Sequence, residues 1–111
     1  GLLAALNDAK VGQALNLIHH DPAANWSLEQ LARKVGMSRS AFAERFKELV
    51  GESPMRYLTA WRMQQAVDLL AAGDMSVGAV AEACGYQSEV AFRKAFRSVV
   101  GKTPGEVRQS A

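Results

Sequence analysis

The 111-residue sequence predicts an all-α fold: two helix-turn-helix subdomains joined by a long linker helix, about seven helices in all. Three observations predict it. No stretch alternates apolar and polar residues with the period of two that half-buried strands require. A stretch beginning at Ser27 recurs 49 residues later from Ser76. Within each copy, serines precede apolar residues at helical spacing and glycines follow them, the residue types that start and stop helices.

Taken in order, Val11 to His19 is an amphipathic stretch stopped by Asp21 and Pro22. In the first copy Ser27 is suited to cap a helix carrying Leu28, Leu31, Ala32 and Val35, which Gly36 ends. Ser38 then opens a second helix whose Phe42, Phe46, Leu49 and Val50 follow at i, i+4, i+7 and i+8, closed by Gly51. Pro54 suits a first helical turn, and the run to Leu70 reads as one continuous helix. The second copy repeats the plan with Val77, Val80, Ala81 and Cys84 between Ser76 and Gly85, then Phe92, Phe96, Val99 and Val100 between Ser88 and Gly101. Gln87 has no counterpart, so the offset becomes 50 after the glycine. Only the turn changes length, and Ala32 and Ala81 are small enough for two helices to cross closely. Thr103 or Pro104 starts a closing helix through Val107. The expected organisation is a first subdomain over 1–53, a linker helix over 54–72 and a second subdomain over 73–111.

Composition removes several classes. A hydrophobic share of 49% with 22% charged residues belongs to a folded chain rather than a disordered tail. This length suits one compact domain, and no apolar run approaches the roughly 18 residues of a membrane span. The N-terminus lacks the order of a signal peptide, and beginning at Gly1 it suggests a fragment whose upstream sensing domain is missing. The single cysteine, Cys84, cannot form an internal disulfide, which fits a reducing, cytoplasmic setting. No nucleophile with a base, paired carboxylates or ligand cluster has catalytic spacing, so no enzyme and no cofactor is expected. His19 and His20 are adjacent and do not share a helical face, which argues against a metal site. The formal net charge of +2 is uninformative as a total, but residues 85–111 alone carry Arg93, Lys94, Arg97, Lys102 and Arg108 against Glu89 and Glu106, a net +3.

These residues resemble the DNA-binding domain of the AraC/XylS family of bacterial transcription regulators. The matching segments are Ser27 to Ala32, Val35 to Phe42, Tyr57-Leu58 with Arg62-Met63, Ala66 with Leu69-Leu70, Val80-Ala81, and the run from Gly85-Tyr86 through Ser88, Phe92 and Phe96 to Gly101 and Pro104. The resemblance implies two helix-turn-helix units, each putting its second helix into a major groove of double-stranded DNA. A linker of about 17 residues, ~25 Å at ~1.5 Å per residue, together with the width of the units it carries, suits major grooves ~34 Å apart. Helical periodicity and the resemblance together make Ser40, Ala43 and Glu44, and likewise Glu89, Val90, Arg93 and Lys94, the base-facing candidates. Arg39, Lys47 and Arg97 suit backbone phosphates. Where many family members carry an arginine, this chain has Glu44, which can accept from cytosine or pair with Lys47. The second unit is therefore expected to supply more of the affinity. Phe42, Phe46, Phe92 and Phe96 read as core, Trp26 and Trp61 as packing residues, and Arg62 either as a structural salt bridge or as a phosphate contact. The alternative reading is a helical module that binds RNA polymerase or another protein, with any small-molecule effector acting through an upstream domain.

Overall fold

The computed structural model describes residues 1–110. Among them stand eight helices and no strand: α1 (Leu2–Asn7), α2 (Ala9–His20), α3 (Leu28–Lys34), α4 (Arg39–Val50), α5 (Pro54–Ala72), α6 (Val77–Ala83), α7 (Glu89–Val100) and α8 (Pro104–Ser110). The expected count of about seven is corrected by α1. That helix has only six residues, and Leu2, Leu3 and Leu6 are exposed, so the run shows no buried stripe for periodicity to detect. It packs against α2 at Gly12, where a β-carbon would stand 2.6 Å from the carbonyl oxygen of Leu6. Ala111, the last residue of the expected second subdomain, lies outside the described residues.

The chain divides into two compact units, Gly1–Leu58 and the part from Thr59 onward, with the division inside α5. In the first unit α1 packs on α2 and α4, and α3 packs on α2 and α4. Val11, Leu15, Ile18, Leu31, Phe42 and Phe46 are fully buried there. In the second, Met63, Ala66 and Leu70 of α5 join Val80, Ala81, Cys84, Phe92 and Phe96 in one core.

The repeat is a repeat of structure. Leu31 and Val80, Ala32 and Ala81, Val35 and Cys84, Phe42 and Phe92, and Phe46 and Phe96 are buried in both copies. Ser27, Ser38, Ser76 and Ser88 each accept a bond from the backbone N–H three residues on, at 3.1 to 3.2 Å. Each first helix ends the same way. Met37 N donates to Ala32 O at 2.9 Å and Tyr86 N to Ala81 O at 3.0 Å, a six-residue closure that requires the positive φ of Gly36 (73°) and Gly85 (92°). Beyond that closure, the extra Gln87 lengthens the turn, while α4 and α7 keep equal lengths of 12 residues. No helix among the described residues is long and apolar enough to cross a membrane.

Candidate nucleic-acid interface

At about 100° per residue, positions one, four, five and eight after the capping serine's neighbour fall within about a quarter of a helix circumference. On α4 these are Ser40, Ala43, Glu44 and Lys47; on α7 they are Val90, Arg93, Lys94 and Arg97. The buried phenylalanines point the other way. Every one of these eight residues is exposed except Ala43, which is half-buried. That corrects its expected place on the solvent face. At the edge of the arc a single methyl stays below its neighbours, whereas Arg93, its counterpart in the second copy, extends past them. Charge also separates the two faces. Glu44 and Lys47 offset each other on the arc of α4, while the arc of α7 carries Arg93, Lys94 and Arg97, of which only Arg93 has an ion-pair partner among the described residues, Glu89.

Two of the candidate arginines are held by glutamates. Arg39 Nη1 lies 3.2 Å from Glu29 Oε1, with the side chains 63% and 64% exposed. Arg93 Nε donates to Glu89 Oε2 at 2.9 Å, one helical turn apart on α7. The repeat register gives these pairs a common logic. Glu29 of α3 corresponds to Gly78 of α6, and Arg39 to Glu89, so the acid has moved from the first helix to the second. Gly78 makes room for it, since a β-carbon there would stand 2.8 Å from Glu89 Oε1. In the first unit the held guanidinium sits at the start of α4; in the second it sits one turn along α7. Ion pairs this exposed contribute only about 0.2 to 1 kcal/mol, so they orient the arginines yet yield easily to a phosphate or a base. Glu44 makes no ion pair with Lys47 among the described residues.

Sequence reasoning missed Arg45. Its Nε donates to Asp8 Oδ2 at 2.9 Å, and a second guanidinium nitrogen reaches the same oxygen. Asp8 also caps α2, accepting from Val11 N at 3.0 Å and Lys10 N at 3.1 Å. The Arg45 guanidinium, helped by these amides, holds the Asp8 carboxyl down at about 2. The partners lie 37 residues apart, and no local pattern announces such a pair. Beside it, Lys10 Nζ approaches the Gly36 carbonyl at 3.4 Å, bringing α2 to the turn before α4.

Other residues take structural places. The Arg62 guanidinium lies 5.7 Å from the centre of the Tyr86 ring, a cation–π contact that the choice between salt bridge and phosphate did not include. Tyr86 in turn packs edge-on to Phe92. His19 Nε2 and the Tyr57 hydroxyl are 2.6 Å apart, and burial lowers the His19 pKa. Trp26 Nε1 donates to Asp21 O at 2.8 Å. Burial pushes the Cys84 thiol up, which leaves it a small apolar side chain.

Residues 31–110 match the family described as helix-turn-helix domain. The chain belongs to the AraC-type helix-turn-helix family. It is 42% identical over 109 residues to an AraC-like transcription regulator from Streptomyces antibioticus, matching 98% of this chain and 36% of that protein. The chain thus spans little more than a third of the length of such relatives. Among solved structures it is similar to the C-terminal domain of AraT, a response regulator from Geobacillus stearothermophilus, with a TM-score of 0.89 at 27% identity over 94% of this chain and 87% of that one. It is also similar to the DNA-binding domain of AdpA, a global transcriptional factor, in complex with a target DNA, with a TM-score of 0.85 at 34% identity over 89% of each chain.

Proposed function

We propose that this AraC-type chain is the sequence-specific DNA-binding part of a bacterial transcription regulator, and that α4 and α7 each enter a major groove of double-stranded DNA. The observation that carries the reading is the exposed arc of Val90, Arg93, Lys94 and Arg97 on α7, opposite a buried aromatic core. Lys94 and Arg93 meet guanine acceptors, while Arg97 meets a phosphate, as do Arg39 and Lys47 on the first unit. Ser40, Ala43 and Glu44 leave α4 a shorter and less basic face, with Glu44 able to accept from cytosine. Glu89 serves chiefly to hold Arg93. The likeness to the AdpA domain bound to its target DNA supports the same assignment. Transcriptional control by the whole protein belongs to this proposal, together with an upstream effector domain, contact with RNA polymerase and a cytoplasmic setting. So does the assignment of α5 as the linker between a first subdomain ending near residue 53 and a second beginning near 73.

A salt titration of duplex binding tests it. Selection from a random duplex library first supplies a site, and it should return two short motifs whose separation measures how far apart the two helices read. The logarithm of affinity should then fall linearly with the logarithm of salt concentration, with a slope of about −0.9 per phosphate contact. An absence of binding at low salt would overturn the reading in favour of a protein-interaction module.

A further inference from the structure

Val90 is 79% exposed, the most exposed of the large hydrophobic residues, and it stands in the first turn of α7. Folding does not explain it. The repeat keeps an apolar residue at each buried position of both copies, yet the first-copy counterpart of Val90 is Ser40, which is exposed and polar. A β-branched residue is also a poorer helix former than alanine, so local propensity gives valine no advantage there. Its neighbours on the exposed arc are Arg93 and Lys94, one turn further along. An apolar side chain flanked by hydrogen-bond donors fits one feature of a base-pair edge, the 5-methyl group of thymine, which is the apolar element of the major groove.

We propose that Val90 is a specificity-determining residue that packs on the 5-methyl group of a thymine in the half-site read by α7, next to the base or bases bonded by Arg93 and Lys94. This rests on the DNA-binding reading above and adds to it the base that α7 selects. Ser40, lacking two methyl groups and carrying a hydroxyl, imposes no such preference on the half-site of α4.

The test uses the selected duplex with each thymine replaced in turn by deoxyuridine, which removes the methyl and keeps every hydrogen-bonding group. For the wild-type chain, one replacement in the α7 half-site should weaken binding roughly threefold to fivefold at fixed salt, the scale set by one buried methyl group. In Val90→Ala, thermal unfolding should be unchanged or slightly later, and thymine and uracil duplexes should bind equally. If no single replacement weakens the wild type, or if the same penalty persists in Val90→Ala, the proposal is overturned while DNA binding stands. Failure of the wild-type chain to bind any duplex would overturn the DNA-binding reading, and this proposal with it.

Discussion

Two helical glycines carry close neighbours of different kinds, and the difference sets opposite outcomes for the same substitution. A β-carbon at Gly12 would stand 2.6 Å from the Leu6 carbonyl oxygen and 3.3 Å from its carbon, both backbone atoms of α1. Backbone cannot swing aside, so Gly12→Ala forces α1 away from α2 at an overpacking cost of about 1 to 3 kcal/mol. The gain in helix propensity returns about 1 kcal/mol at most. A net loss of up to about 2 kcal/mol is expected in denaturant unfolding. At Gly78 the close atom is Glu89 Oε1, the free end of an exposed side chain. There Gly78→Ala should hold or raise stability, by up to about 1 kcal/mol, because the carboxylate rotates away. The same rotation loosens the Glu89–Arg93 pair, so DNA affinity should change although stability does not fall. Equal destabilisation by both variants would contradict this contrast.

Among the elements, α1 and α2 show where the sequence was legible and where it was not. Serine caps, glycine stops and phenylalanines four apart disclosed α3, α4, α6 and α7, because those signals act within a few residues. The joint between α1 and α2 depends on Asp8, whose carboxylate caps α2 and also binds Arg45 of α4. Half of that function is local and could have been read; the other half is created by folding. Asp8 has its carboxyl held at about 2, below its ordinary value of 3.8. With the folded value depressed, the unfolded chain binds more protons between these limits, so the stabilisation is complete above about pH 4 and is lost as pH falls towards 2. Glu106 is shifted in the same direction by its bonds to Thr103 at the start of α8. Asp8→Asn should lower the melting temperature at neutral pH and flatten the acid limb, while leaving the Glu106 contribution. Melting curves from pH 6 to pH 2 for both proteins check this. An unchanged acid limb in Asp8→Asn would mean the Asp8–Arg45 pair does not stabilise the fold.

At the scale of the whole molecule, duplication made the fold readable, since the apolar positions of each helix-turn-helix copy were written twice, 49 residues apart before the turn and 50 after it. It also made the candidate faces comparable, and there the copies diverge. Periodicity alone located Ser40, Glu44 and Lys47 on one arc and Val90, Arg93, Lys94 and Arg97 on the other. It could not disclose that Arg39 is held by Glu29, ten residues away, or that Glu89 leans over Gly78, because these contacts arise from helix crossing. The two units each carry a net charge of +1, so total charge alone would make them interchangeable partners for a polyanion. The cluster of Arg93, Lys94 and Arg97 on the exposed arc of α7 predicts otherwise, and removal of equal charge from each face separates the two cases. Arg39→Ala with Lys47→Ala takes two positive charges from the first unit, and Lys94→Ala with Arg97→Ala takes two from the second, so both variants carry the same total charge. If affinity followed the total, both would weaken binding of the selected duplex equally at a given salt. With α7 supplying a base contact as well as a phosphate contact, its variant should bind at least about tenfold more weakly than the α4 variant, a difference of about 1.4 kcal/mol. Its loss should be largest in the selected duplex and smaller in one scrambled in the α7 half-site, because a base contact, unlike a phosphate contact, exists only where the sequence provides it.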